Sequence, residues 1–419
     1  MSSPVWHPFT QHALTPDMKL VATGEGAWLT TADGVRILDA ISSWWVITHG
    51  HCHPRIVAAI KEQAGKLDQV IFAGYTHQPA EDVARGLIGI TPNGLSHVFF
   101  SDSGSTAVEV ALKMALGFWR GRGKPRHRII ALEHAYHGDT IGAMAAGARG
   151  IFNAGYESLL FEVDRLPFPS DGGKETLAGL ERLAPDAAAL IAEPLLLGAG
   201  GMLTYAPEIL AAMKRTCEKH GTLFIADEVL TGFGRTGTVF ACEQAGIAPD
   251  LLCLAKGLSG GALPLAATLA TEEIFAAHYS TDRARTFFHS SSFTANPIAC
   301  AAAAANLEIW KSEPVRQRVA ALAGMQEERL GAFQKDSRFS ALRRIGTVTA
   351  LDLKVSDPGY LSAGRGAGLG PELARFFQAR GLLLRPLGNT IYVMPPYCVT
   401  APELDLVYDA IRDAAGKFV

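Results

Sequence analysis

TLFIADEVLTGFGRTGTVFACEQAGIAPDLLCLAKG, residues 222–257, decides how the chain is read. It opens with an apolar run, 222–226, that ends on the acid pair Asp227 and Glu228. It closes with a second apolar run, 251–255, that ends on Lys256 and Gly257. Short apolar runs bounded by polar or glycine punctuation read as buried strands. An acid and a lysine therefore stand at the carboxyl ends of two strands, where open α/β sheets place their ligands. A lysine leaving an apolar strand is partly desolvated, so its amine loses its proton more readily and becomes a usable nucleophile. An ordinary ion pair at strand ends is the other reading of the same two residues.

Lysine amines condense with carbonyl carbons, among them the aldehyde of pyridoxal phosphate. A carboxylate on that cofactor's ring nitrogen keeps the ring protonated and electron-withdrawing. Lys256 would supply the amine and Asp227 the carboxylate. The run Asp227, Glu228, Thr231 and GFGRTG at 232–237, followed by Lys256, resembles the class III, or ω-amino, group of pyridoxal-phosphate aminotransferases.

Composition sets the bounds. The chain has 419 residues, 48% of them hydrophobic and 19% charged, with a net charge of -3, which suits an ordinary soluble protein of roughly two or three domains. So small a net charge gives no reason to expect nucleic acid or an acidic membrane as partner. The basic knot RGRGKPRHR at 120–128 lacks interleaved aromatics and reads as a helix end running into a surface loop. The six cysteines, at 52, 217, 242, 253, 300 and 398, show no paired spacing, which fits a reducing cytoplasm. No apolar run approaches the ~18 residues of a membrane span.

Working outward, residues 98–119 read as a strand, a polar Gly/Ser turn and a helix with an apolar stripe. That geometry offers backbone N–H groups and a positive dipole end to a phosphate, though a plain capped helix looks the same. Residues 129–140 read as a strand running into a loop with Tyr136, His137 and Asp139, where the aromatic could stack on a planar ring or simply pack in the core. Another buried strand ends at Glu193 and Pro194. A serine-rich turn, Ser290 to Phe293, precedes a helix that starts near Asn296 and Pro297. Near the C-terminus Arg385 follows three leucines, with Tyr392 on the next strand; arginine suits bidentate grip on a carboxylate, and a surface arginine is the plain alternative.

The N-terminal region reads differently. WHPFTQ at 6–11 is aromatic-rich without helical period, and 26–40 reads as a hairpin turning at Ala32, Asp33 and Gly34. In SSWWVITHGHCHP, Trp44 and Trp45 cannot share one face of a strand, so one is expected in the core and one in a cavity. His49, His51, Cys52 and His53 have alternate spacing but no carboxylate partner nearby; the expectation is no metal and a helix start at Pro54.

WHPFTQ and SSWW, followed by HGH and HP, are similar to the biotin-pathway members of the group. The resemblance runs from Trp6 to Tyr397. It implies a fold-type-I α/β transferase with a mostly parallel sheet covered by helices in a large domain, 51–307. A smaller α/β domain is expected from both termini, 1–50 and 308–419. It implies cofactor contacts from Gly104, Ser105, Tyr136, Asp227, Lys256, Ser291 and Ser292, with Lys256, Asp227 and Tyr136 catalytic and Glu193 nearby. Substrate contacts are implied for Phe9, Trp44, Trp45, Tyr136, Arg235, Ser290, Arg385 and Tyr392. Ser290 stands where most relatives have glycine. The implied reaction passes an amino group from S-adenosyl-L-methionine, through pyridoxal phosphate, to 8-amino-7-oxononanoate, giving 7,8-diaminononanoate in a cytoplasmic homodimer. Phe9 stands where adenosylmethionine-using relatives often carry a hydroxylated aromatic, so lysine as donor stays open, as does another ω-amino acid or diamine aminotransferase.

Overall fold

One seven-stranded sheet organises the computed structural model, which describes residues 4–15, 18–150, 152–356 and 369–419. Its spatial order is Leu95–Ser101, Ala266–Thr271, Leu251–Leu254, Leu223–Asp227, Ala187–Ala192, Arg128–Leu132 and Asp164–Leu166. Only Ala266–Thr271 runs against the others. The central strands are buried along their whole length, which is why they read as unbroken apolar runs rather than as alternation. Alternate residues feed two cores. Ile129, Ile191, Ile225 and Cys253 pack with Ala107, Val108, Ala111 and Phe118 of the helix Gly104–Gly121. Ile130, Leu190, Phe224 and Leu252 face the other way, onto Leu210 and Met213 of Pro207–His220 and Ala299 and Ala303 of Pro297–Ser312.

The termini share a third core. The expected hairpin forms from Trp28–Thr31 and Arg36–Asp39, and Leu38 pairs in parallel with Leu382. A three-stranded sheet of Phe339–Ile345, Val348–Leu353 and Thr390–Val393 packs under Ala401–Phe418, bringing Leu38, Ile391, Val407 and Ile411 into one cluster.

The tryptophan pair is not on a strand. Ser42, Ser43 and Trp45 all have positive φ, so 42–45 is a tight irregular turn that throws Trp45 inward and leaves Trp44 half exposed. The histidines that follow disperse. His51 bonds Asp39, His49 bonds Asn306, and His53 precedes the helix Pro54–Ala64. Among the described residues no cluster of His, Cys, Asp or Glu could hold a metal. The basic knot is consumed locally: Arg126 lies 4.0 Å over the Trp119 ring, and Arg128 pairs with Asp164.

Candidate active site

Lys256 opens a short 3-10 turn, Lys256–Ser259, just past the strand Leu251–Leu254. Its φ of 45° is left-handed, a conformation that costs a non-glycine residue about 1–3 kcal/mol and needs support from its surroundings. Burial pulls its amine down to about 8, against the pull of Asp227 and Glu193. Nζ stands 4.8 Å from the centroid of the buried Trp45 ring. That indole is held in turn by a 2.9 Å hydrogen bond from Nε1 to the Tyr392 hydroxyl.

Asp227 ends the neighbouring strand, opposite Cys253. It is 4% exposed, with Oδ2 2.7 Å from His137 Nδ1 and Oδ1 accepting from Val229 N at 3.1 Å. His137 is equally buried, and its Nε2 has no hydrogen-bond partner. One residue earlier, the Tyr136 backbone N–H donates to Glu193 at 3.0 Å, and Gly198 N donates to the same carboxylate at 3.1 Å. Burial raises the Glu193 carboxyl to about 7. Burial and the neighbouring Asp139 raise the Tyr136 hydroxyl. Tyr136 and His137 thus tie the loop to two buried carboxylates.

The polar turn after Leu95–Ser101 becomes an N-cap. Ser103 and Thr106 cap each other reciprocally, at 3.2 and 2.9 Å, and the helix starts at Gly104. Two glycines let three loops meet there. A Cβ on Gly104 would lie 2.6 Å from Val229 Cγ1, two residues beyond Asp227. A Cβ on Gly138 would lie 2.0 Å from Ser105 Oγ, and Gly138 itself has φ +131°. Ser105 Oγ accepts from Asp139 N at 3.1 Å. A helix N-terminus with first-turn N–H groups lacking intrahelical acceptors therefore lies beside the Asp227 strand end. The serine loop of the same chain is anchored next to this cap: Ser291 Oγ hydrogen-bonds Asp102, the Ser290 hydroxyl donates to Ser291 O at 3.2 Å, and Ser292 O accepts from Gln69 Nε2 at 2.8 Å.

A second cluster is aromatic. The Phe9 ring lies 5.7 Å from Trp44 and 5.8 Å from Phe152. The Arg385 guanidinium lies 5.0 Å over Trp44 and donates to the Phe9 carbonyl at 3.3 Å. All four residues are partly or largely exposed, as a mouth would be.

Two residues expected to contact substrate are buried beside Lys256. Arg235 is 2% exposed and donates to the carbonyls of Ile47 at 2.8 Å, Pro395 at 3.2 Å and Trp45 at 3.4 Å. A buried guanidinium needs acceptors for its donors, and these carbonyls supply them, so Arg235 clamps the GFGRTG loop to the termini. Tyr392 is 2% exposed, and its hydroxyl holds the Trp45 ring. Glu228 is likewise internal, accepting from Ala241 N at 2.7 Å, Cys242 N at 2.8 Å and Thr231 at 2.9 Å. A groove of ≈ 660 Å³ lined by Ala59, Glu62, Ala301, Ala304 and Lys311 contains none of the expected site residues. His137 and Phe152 lie among these residues without having been singled out for it; His137 alone had a signal, its place between Tyr136 and Gly138.

Residues 11–415 match the class III aminotransferase family. An adenosylmethionine-8-amino-7-oxononanoate aminotransferase of Synechococcus elongatus is 48% identical, over 98% of this chain and 97% of that protein. One of Geobacter sulfurreducens is 37% identical, over 97% and 94%. Among solved structures, the enzyme of that name from Methanocaldococcus jannaschii superposes with a TM-score of 0.92 at 33% identity, over 98% of this chain and 97% of that one. A PLP-bound amine transaminase from an uncultivated Pseudomonas species does so with 0.92 at 32%, over 100% and 99%. With the match spanning nearly all of its length, the chain belongs to the class III aminotransferase family.

Proposed function

We propose that the chain is the biotin-pathway aminotransferase, passing an amino group from S-adenosyl-L-methionine to 8-amino-7-oxononanoate with pyridoxal phosphate on Lys256. The observation that carries this is the meeting of Lys256, partly buried with a desolvated amine, a buried Asp227–His137 pair and a helix N-terminus at the ends of strands of one sheet. The residues fit the cofactor: glycines at 104 and 138 let the helix N-terminus, the Asp227 strand end and the Tyr136 loop close on one another where any Cβ would collide with Val229 or Ser105, and the N–H donors there suit a phosphate. The bound cofactor supplies an aldehyde carbon that stores the amino group between half-reactions and a ring that draws electrons from it.

The chain's own residues do the rest. Gly104 and Ser105 would hold the phosphate, and Ser291 and Ser292, whose loop bonds Asp102 of its own chain, would reach the phosphate of a neighbouring copy in a homodimer. Asp227, fixed by His137, would keep the ring nitrogen protonated, and Tyr136 would pack against the ring. Lys256 Nζ would take the proton from the donor carbon and deliver it to the carbon that was the cofactor's aldehyde. Trp45 shields that amine from water. Phe9, Trp44 and Phe152 accept the acceptor's aliphatic chain, and Arg385 grips its carboxylate once it leaves the Phe9 carbonyl. Six free cysteines and no helix, among the described residues, long and apolar enough to cross a membrane support a cytoplasmic enzyme.

The test is a half-reaction. Purified yellow protein mixed with adenosylmethionine alone should lose its visible absorbance, and product assays with 8-amino-7-oxononanoate should yield 7,8-diaminononanoate. Bleaching by lysine alone would move the donor assignment to lysine. Bleaching by neither would sink the pathway reading and leave a wider ω-aminotransferase.

A further inference from the structure

Beside the turn that follows Lys256, Asn306 is fully buried in the alanine-rich helix Pro297–Ser312. Its Nδ2 donates to Gly257 O and to Leu258 O, each at 2.9 Å. Its Oδ1 lies 2.7 Å from Nε2 of His49, which is itself buried. The amide orientation is fixed by chemistry: two carbonyl oxygens can only accept, so the nitrogen faces them and the oxygen faces His49. His49 Nε2 must then carry the hydrogen. Burial keeps that ring neutral, pulling it down to about 4. Around His49 stand His53, Trp310 and Tyr397, at ring separations of 5.7, 6.0 and 6.4 Å.

The two carbonyls that Asn306 grips belong to the residues immediately after Lys256. Lys256 has the left-handed φ of 45°, and such a backbone persists only where its surroundings over-determine it. A helix built of alanine has no other reason to bury an amide there, since an unmatched polar group inside is costly. We propose that Asn306, oriented by His49, is a positioning residue that holds the Lys256 turn in its strained conformation and so aims Nζ at the reacting carbon. It touches neither cofactor nor substrate and acts through the backbone. The inference rests on Lys256 being the lysine that carries the cofactor.

The test uses cofactor-loaded enzyme. Asn306→Ala should still fold and bind cofactor. Its kcat should fall by about 10- to 100-fold, as expected for a reacting group displaced by roughly an ångström, with KM for the donor changed less than about threefold. The pH midpoint of the cofactor's visible absorption band should also move, because that band reports the environment of Nζ. His49→Phe, which keeps the ring's bulk, should show the same changes in smaller measure, and His49→Gln, whose amide N–H can replace the ring N–H, should lie nearer the parent. Should Asn306→Ala fail to fold, the His49 pair carries the test alone. Parent-like kcat and absorbance midpoint in Asn306→Ala, or in His49→Phe when Asn306→Ala is not recovered, would overturn the inference. Equal behaviour of His49→Phe and His49→Gln would do the same. Lys256→Ala is measured alongside: if it keeps the shifted absorption band, the lysine assignment itself has failed, and the Asn306 result is read no further.

Discussion

At Lys256 burial is the largest influence on the amine and sets it near 8. At neutral pH it is therefore neutral in roughly a hundredfold or more of the fraction found for an ordinary lysine. Cofactor-free protein should take up pyridoxal phosphate at a rate that rises with pH and reaches half its maximum near 8. A midpoint above 10 would show that Nζ is not desolvated. The same shift has a stability consequence with a definite sign. The folded state gives up the proton near 8, whereas the unfolded chain keeps it to about 10.5. Between those values the unfolded state holds more protons, so the cofactor-free protein gains stability from this group as pH rises through that window. Asp227 carries a different argument. Asp227→Asn keeps the shape that receives Val229 N and faces His137, but removes the charge. Electrostatic groups of this kind commonly account for about 10²–10³ in kcat. We expect a loss of that order with the melting temperature nearly unchanged; retention of more than a tenth of parent kcat would remove Asp227 from the ring nitrogen.

Among the elements, the two chemistry-bearing strands were the most legible part of the chain. Leu223–Asp227 and Leu251–Leu254 lie within a residue of their expected bounds because burial on both faces leaves no alternation to misread. The turn at 42–45 was not legible. Its left-handed residues are two serines and a tryptophan, and nothing in those residue types announces positive φ. The burial of Arg235 was not legible for a related reason: an arginine in a glycine loop looks exposed until the carbonyls of Ile47 and Pro395 close over it. The cradle at Gly104 and Gly138 depends on loops from separate strands interlocking, and so makes a prediction about elements. Gly138→Ala would drive a Cβ against Ser105 Oγ, Cβ and Cα at 2.0, 2.6 and 2.8 Å, and no single rotamer change relieves all three. We expect at least about a tenfold weaker hold on pyridoxal phosphate, since a helix N-terminus binds an anion only where its N–H groups can approach it. Absorbance titration of cofactor-free protein measures this, and parent affinity in the variant would argue that the phosphate sits elsewhere.

Over the whole molecule, what the sequence could not display is contact between distant segments. His49 and Asn306 meet across 257 positions, and Phe9 reaches Arg385 across 376. One such long-range arrangement bears on assembly. Ile71, Tyr75, Phe288 and Phe293 are 66, 66, 65 and 63% exposed. Gln69 and Asn296 tie their two segments together, through Ser292 O at 2.8 Å and Asp68 O at 2.9 Å. The same serine loop hydrogen-bonds Asp102, next to the helix cap. An apolar surface of this kind beside a site is a candidate for cover by another protein surface, and in the proposed homodimer a second copy covers it while its serine loop completes the phosphate site. Assembly and cofactor binding are then one equilibrium: whatever weakens the interface must also weaken the hold on pyridoxal phosphate. Phe293→Asp would set a charge into that apolar contact. It should shift the protein toward monomer in sedimentation at micromolar concentration. Cofactor affinity and activity should fall in step with the dimer fraction and recover as protein concentration rises. A parent protein that sediments as a monomer with full activity, or a monomeric variant that keeps parent cofactor affinity, would separate the two and leave each chain with a site complete in itself.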